Sequence, residues 1–433
     1  MTDSSYEDDS LRALFGRPDY VRLWVSRVAS TLGVQIQSVA LGWQMYAVAR
    51  ETMGVAQSAF YVGMIGLAAF IPVFFLALPA GETADRYDRR KVLLLCYLGE
   101  IATAVILACA AIFHFVSIPL LLALSALFGA SRAFMGPAST ALGPMLVTKA
   151  LLPRSIAWNS LSWQGGSIAG PALGGILLGI SPGASYTATV GLYLVAATCV
   201  FLIKGNTQPV VNPGSRWALM KEGLRYVWEN KIVFGAISLD LFAVLLGGAT
   251  ALLPVFARDV LHVGPQGFGI LRAGPAMGAT LVAICLASFP IRRHAGLIMF
   301  GGVALFGAAT IVFGLSTSLP LSVLALAVLG GADMLSVYVR QTLVQIVTPD
   351  QMRGRVAAVS GLFIGASNEL GEFESGVVAR FLGPVGAAIF GGVGALIVTG
   401  VWAKLFPDLR KADKLAYQPS QFSRRYIHGC AFR

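Results

Sequence analysis

The stretch Gly81-Glu82-Thr83-Ala84-Asp85-Arg86-Tyr87-Asp88-Arg89-Arg90-Lys91 sets seven charges within eleven residues, between two long apolar runs. A helix that crosses a membrane carries few charges, whereas a short cytoplasmic connection between two such helices collects Lys and Arg. The stretch therefore reads as a tight loop on the inner face of a membrane.

Composition agrees. The 433-residue chain is 56% hydrophobic and 12% charged, against about 25% charged in a soluble protein. That describes an integral membrane protein, all α, and at about 20 apolar residues per span its length holds about twelve spans with short loops. The net charge is +11. Because the Lys and Arg are scattered over short loops rather than clustered with aromatics on one module, they read as topology determinants, and no nucleic-acid partner is expected. The five cysteines (Cys96, Cys109, Cys199, Cys285, Cys430) include no close pair and no Cys/His ligand set, so neither disulfides nor a metal site follow, and no cofactor is expected. No G-x-x-x-x-G-K loop occurs and no soluble stretch is long enough for an ATPase, so any transport is secondary and the chain is not read as an enzyme. The acidic N-terminus (Asp3, Glu7, Asp8, Asp9) lacks a signal peptide's basic region, and is expected to remain as a tail.

Spans are expected near 21–49, 55–80, 92–113, 117–147, 155–180, 184–204, 232–256, 266–289, 296–316, 320–347, 357–380 and 384–406. With the N-terminus inside, the inner face receives Arg12, Arg17, Arg22, the Arg86 to Lys91 cluster, Lys149, Arg154, Lys204, Arg216, Lys221, Arg225, Lys231, Arg292, Arg293, Arg353, Arg355 and the basic tail. The outer face receives Arg50, Arg258 and Arg380, an asymmetry that places both termini in the cytoplasm. The long polar interval 205–231 divides the chain into a tail (1–20), a six-helix bundle (21–204), a linker, a second six-helix bundle (232–406) and a tail (407–433). Within the linker, Arg216 to Glu229 sets Trp217, Met220, Leu224, Val227 and Trp228 on one helical side, as an interfacial amphipathic helix would.

Shifting the first half by 201 residues aligns Gly129 with Gly330, Arg132 with Asp333, Arg154 with Arg355, Gly170 with Gly371 and Gly175 with Gly376. Such a repeat implies two bundles related by an axis along the membrane normal, with a substrate site between them near the midplane.

Several residues inside spans carry chemistry. In span 5, Gly166, Gly170 and Gly174 make a stripe without side chains that admits a neighbouring backbone, and Pro171 beside Gly175 permits a bend. Arg132 in span 4 is too costly to face lipid and needs a partner or a wet cavity. Asp333, its counterpart across the repeat axis, is the expected partner, and Arg340 on the same face of span 10 competes for it. In span 11, Gly365, Glu369, Glu372 and Gly376 fall on one stripe, with Glu374 on another side. Two carboxylates one turn apart cannot both ionise cheaply, so the pair either carries a proton or closes a network with Arg353, Arg355 or Arg272. Asp240 in span 7 and Glu100 in span 3 are further acids, and span 1 shows a polar stripe of Arg27, Ser30, Gln37 and Gln44.

The loop, with Gly81, Asp85, Arg86, Arg89, Arg90 and Lys91, resembles the signature between spans 2 and 3 of the major facilitator superfamily; Asp88 stands where that family commonly has Gly. The run from Gly166 to Gly175 resembles the span 5 motif of its exporters, chiefly antiporters. Arg132 followed by Gly136 resembles its second motif, associated with proton coupling, with Met135 where Gln is frequent. Segments Leu253 to Asp259 and Arg340 to Gly376 look like the bacterial branch that includes the enterobactin exporter. The resemblance implies a proton-driven, monomeric exporter of small organic molecules in a bacterial cytoplasmic membrane. It further implies gating by the loop, proton-coupling candidates at Arg132, Asp333, Glu369, Glu372 and Asp240, and cavity candidates at Arg27, Gln37, Gln44 and Arg340. Its partners would be the small-molecule substrate, protons and the lipid bilayer. An importer or lipid flippase on the same scaffold, and a non-transporting sensor or scaffold, are the rival readings.

Overall fold

The computed structural model describes residues 11–205, 207–208, 216–291 and 293–412. The tails at 1–10 and 413–433, the linker residues 206 and 209–215, and Arg292 lie outside the described residues.

Apolar runs with proline in the first turn start most of the helices, since proline has no N–H to lose there and a helical φ already set. The spans are Pro18–Thr52, Val55–Arg86, Arg89–Ile112, Ile118–Leu142, Leu152–Ile180 and Pro182–Phe201 in the first half. The second half has Lys231–Leu246, Gly264–Ser288, Ala295–Leu315 and Leu319–Val347, followed by one continuous helix, Asp350–Leu405. By length and composition, nine helices among the described residues can cross a membrane. Span 1 (Pro18–Thr52) and span 5 (Leu152–Ile180) are as long but more polar. Asp350–Leu405 is two spans broken at Gly383, whose φ of 73° is open to glycine and strained for other residues, directly before Pro384. Twelve spans result, six to each bundle.

The charged loop is shorter than expected. Gly81 does not end span 2, which stays helical to Arg86, so the turn is Tyr87–Asp88 alone. The Asp88 carboxylate accepts the Arg90 N–H at 3.0 Å, capping span 3, and the Thr207 hydroxyl at 2.5 Å. Asp88 is the cap that the sequence comparison showed only as a departure from pattern. The arginines that follow reach carbonyls at the C-terminal ends of neighbouring helices. Arg89 donates to Ala84 (3.1 Å) and Ala141 (3.4 Å), and Arg90 to Phe201. Spans 2, 4 and 6 all end here with unpaired carbonyls, so the basic cluster neutralises three helix termini at once. Arg353 does likewise for span 10 through the Gln345 carbonyl, at 3.1 Å.

Packing follows the repeat. In the first bundle Gly129 of span 4 lies on the backbone of Ala69 in span 2; in the second, Gly330 of span 10 lies on that of Pro275 in span 8. Arg216–Glu229 is helical and packs on the start of span 11, where Glu222 pairs with Arg355 at 2.5 Å and Tyr226 donates to the Val347 carbonyl at 3.1 Å. Val227 is buried there with Val233, Ile237, Val356 and Val359.

The buried apolar residues are not spread evenly along the membrane normal. At the end remote from the charged loop, one continuous core joins both bundles, from Val39, Tyr46 and Tyr186 to Phe256, Phe268 and Phe313. At the charged end the cores stay separate: one within spans 1, 2, 3, 4 and 6, one within spans 7, 9, 10 and 12, and smaller ones beside them. The bundles are sealed together at the far end and parted at the charged end.

Candidate functional site

A cavity lies between the bundles, lined by spans 1, 2, 4, 8 and 11 and by residues 250–254 after span 7. Its walls mix apolar faces (Leu41, Val62, Ile65, Phe128, Phe268) with Ser38, Ser125 and four charged groups, Arg132, Arg272, Glu369 and Glu372. A pocket with a few convergent polar groups on apolar walls is the form small-molecule sites take.

The charges are paired. Arg132 of span 4 stands 3.4 Å from the Glu369 carboxylate of span 11 and 5.6 Å over the Phe128 ring. Arg272 of span 8 stands 3.6 Å from Glu372 and donates to the Thr250 carbonyl at 3.2 Å. The Arg132 pair crosses from one bundle to the other, whereas the Arg272 pair lies within the second bundle. Span 11 can bring its acids to the cavity because Gly66 of span 2 leaves room: a Cβ there would meet the Glu369 carbonyl at 2.7 Å and the Glu372 Cβ at 2.9 Å. Gly376 and Gly63 meet one helical step further on, at 2.8 Å from virtual Cβ to Cα. The stripe of Glu369, Glu372 and Gly376 therefore faces span 2. Glu374, on the other side, accepts from the Ser375 hydroxyl at 3.5 Å.

Arg132 and Asp333 are not a pair. Arg340 instead makes an ion pair with Asp240 of span 7, both nearly excluded from solvent, and half-buried Asp333 stands in the field of that pair. The repeat identifies equivalent positions, but helix rotation decides which acid the guanidinium reaches. Asp240, Arg340 and Asp333 form a second polar centre, inside the second bundle.

The remaining cavity candidates are engaged elsewhere. Arg27 donates to the hydroxyl (3.1 Å) and the carbonyl of Ser139, holding the end of span 4. Gln44 accepts from the Tyr186 hydroxyl at 2.7 Å, and Gln37 is fully buried inside the first bundle. None of Arg27, Gln37, Gln44 and Arg340 lines this cavity. Arg272, left unassigned by the sequence beyond its place in a possible network, does line it.

The span 5 motif divides between two neighbours. Virtual Cβ atoms on Gly166, Gly170 and Gly174 would meet Thr31, Gln35 and Val39 of span 1 at 2.6, 2.5 and 3.2 Å. Gly175 instead lies on Gly269 of span 8, at 2.8 Å from virtual Cβ to Cα, where the Pro171 carbonyl also faces Gly269. The stripe packs within the bundle, and its last glycine packs between bundles. In the loop, Gly81 is buried, Arg86 pairs with Glu82 at 2.6 Å, and Lys91 is exposed.

A family profile described as transmembrane secretion effector matches residues 12–428. Among curated relatives, Enterobactin exporter EntS of Citrobacter koseri is 27% identical over 390 residues, covering 87% of this chain and 88% of that one. Its namesake in Salmonella typhi is 28% identical over 393 residues with the same coverage. Among solved structures, the POT family transporter PepTSo superposes with a TM-score of 0.73 at 13% identity, covering 92% of this chain and 99% of that one. A D-xylose-proton symporter gives 0.69 at 12%, covering 90% and 98%. At those identities the structural likeness is one of fold alone: the two-bundle major facilitator architecture. By the extent of the profile match, the chain belongs to the transmembrane secretion effector family of the major facilitator superfamily.

Proposed function

We propose that this secondary transporter expels small organic molecules from the bacterial cytoplasm in exchange for protons, by alternating access of the cavity between the bundles. The observation that carries the reading is the Arg132–Glu369 pair, which lines the cavity and crosses the bundle interface, so that opening and protonation act on the same contact. A carboxylate that loses its arginine inside a bundle gains most by taking up a proton, and one that regains it gives the proton up. The enterobactin exporters among the relatives support export and a siderophore- or drug-like substrate class. The positive-inside rule supports placing the charged end and both termini in the cytoplasm, which makes the present conformation inward-facing. Residues 21–204 and 232–406 would be the two rocking bodies, and the chain would work as a monomer. Asp85, within reach of the start of span 11 when the charged end closes, would lock the opposite state, because a helix N-terminus favours a carboxylate.

The test is metabolite comparison of medium from wild-type and deletion strains, followed by flux of the candidate compound in inverted and right-side-out vesicles under an imposed pH gradient. Accumulation in inverted vesicles that follows an acid interior supports the reading. Flux in the opposite sense, or flux indifferent to the gradient, overturns it.

A further inference from the structure

We propose that Glu100 in span 3 is a second proton site, set inside the first bundle, and that Arg132 is the counter-ion it shares with Glu369 of the second bundle. The proposal rests on the reading of Arg132–Glu369 as a contact that breaks and re-forms.

Glu100 is fully buried, and among the described residues neither of its carboxyl oxygens has a hydrogen-bond partner. The amide of Gln37 in span 1 and the hydroxyl of Tyr193 in span 6 are equally buried and equally without partners. These groups lie in one region. Gly33, one turn before Gln37, makes room for the Tyr193 ring: a Cβ there would meet it at 2.7 Å. Gly99, beside Glu100, lies on Ser131, beside Arg132, with 2.5 Å from virtual Cβ to Oγ. Arg132 acts electrostatically on both Glu100 and Tyr193. The other titratable groups facing Glu100 are Cys96 and Tyr97 of its own helix; Tyr97 is held by the Ser26 hydroxyl at 2.9 Å and feels Arg27 of span 1.

A carboxylate so enclosed, with no donor on it, is untenable as an anion, whereas a carboxylic acid has an O–H to give and an oxygen to accept with, as an amide and a phenol require. Among the described residues the cation that acts on Glu100 is Arg132, which in the present conformation is turned to Glu369 at 3.4 Å. When the bundles part at the midplane that contact is lost, and the guanidinium stays with the first bundle, where Glu100 is the acid beside it. The O–H bond of Glu100 then breaks, its electron pair remains on the carboxylate, and the proton passes to water at the charged end while that end is still open; Glu369, deprived of its cation, takes its proton from water at the far end once that end opens. Glu100 regains its proton from the charged-end side when Arg132 returns, so only Glu369 carries a proton across. One of the two acids holds a proton in each state, so the buried charge around Arg132 stays constant through the transition.

The experiment is difference infrared spectroscopy of the purified full chain in lipid nanodiscs, at neutral pH, comparing wild type, E100Q, E369Q and the E100Q/E369Q double variant. Wild type minus E100Q is expected to show the loss of one protonated-acid carbonyl band. E369Q frees Arg132, so the same band is expected to vanish and a carboxylate band to replace it, absent from the double variant. Because Gln is isosteric with the neutral acid, E100Q is expected to keep the wild-type melting temperature. Should E100Q fail to fold, wild type against E369Q alone still reads the loss of one acid carbonyl. A carboxylate band lost in E100Q, or an acid band that survives in E369Q, overturns the proposal. Flux without pH dependence would overturn the proton-coupled reading while leaving these bands to be read on their own.

Discussion

The Tyr46 hydroxyl at the end of span 1 donates to the carboxylate of Asp259, just beyond span 7, and Arg50 stands 3.6 Å from the same carboxylate. Arg258 lies 5.9 Å over the Tyr46 ring, and Trp43 stacks on Phe268 nearby at 5.9 Å. Each of these contacts joins the first bundle to the second, at the end where the continuous core seals them. One carboxylate thus latches the far end.

Asp259→Asn is expected to loosen that latch. The pair is a quarter exposed on each side, so its worth is about 1 kcal/mol, and the far-end-open state should gain about fivefold in population. Labelling of a cysteine placed at Ser125, by an impermeant thiol reagent applied from the far side, measures the change; an unaltered labelling rate would show that the apolar core alone holds the seal.

The cavity pairs lend themselves to double-mutant cycles. Arg132→Ala with Glu369→Ala should show a coupling energy of about 0.5–1 kcal/mol in thermal unfolding, since both side chains keep some solvent. Arg132→Ala with Asp333→Ala should be additive, because no contact joins them.

The Arg340–Asp240 pair is a different case, at 3% and 7% exposure. Removing one partner leaves an uncompensated charge in the bundle, at a cost of about 3–5 kcal/mol, whereas Arg340→Met with Asp240→Leu should regain most of the loss. Folded yield and melting temperature in detergent report both. An Asp240→Leu variant as stable as wild type would mean that Asp333 takes over as the partner of Arg340.

Gly269→Val puts a branched side chain where its Cβ would already lie 2.6 Å from the Pro171 carbonyl and 2.8 Å from the Gly175 Cα, inside van der Waals distance. About 1–3 kcal/mol of overpacking is expected, and transport should fall more than stability does, since the contact lies between the moving bodies. Equal flux at equal protein level would argue that the bundles do not turn on this contact.

Asp85→Asn is expected to lower the transport rate with unchanged expression, by weakening the state in which the charged end is closed. Its readout is the same thiol labelling from the far side, which should decrease.

Much of this architecture was legible in the chain because lipid leaves few choices. Apolar length gave twelve spans, and the small-residue stripe of span 5 packs closely, as Gly166, Gly170 and Gly174 suggested. Pairings were less legible. Periodicity shows that Glu369 and Glu372 share a face, but their distance from Arg132 depends on how span 11 is rotated against span 2, which Gly63 and Gly66 settle. Arg27 looked like a cavity group and serves as a cap instead, since a guanidinium in a span is equally well satisfied by the carbonyls at a neighbouring helix end. The extension of span 2 through Gly81 to Arg86 was hidden by the charges themselves, which mark where the membrane stops and not where the helix does.

Among the described residues, Gly63 on Gly376, with Gly66 on Glu369 beside it, and Gly175 on Gly269 mark two regions where main chain rests on main chain between the bundles. Two such points fix a line, and a body resting on a line has a single rotation left to it. Neither point carries a ridge of side chains that must be lifted over another, so turning there meets little steric resistance. Both points sit nearer the sealed end, and the helices running on to the charged end are the long arms of a lever. A slight tilt at the glycines therefore becomes a wide swing at the mouth.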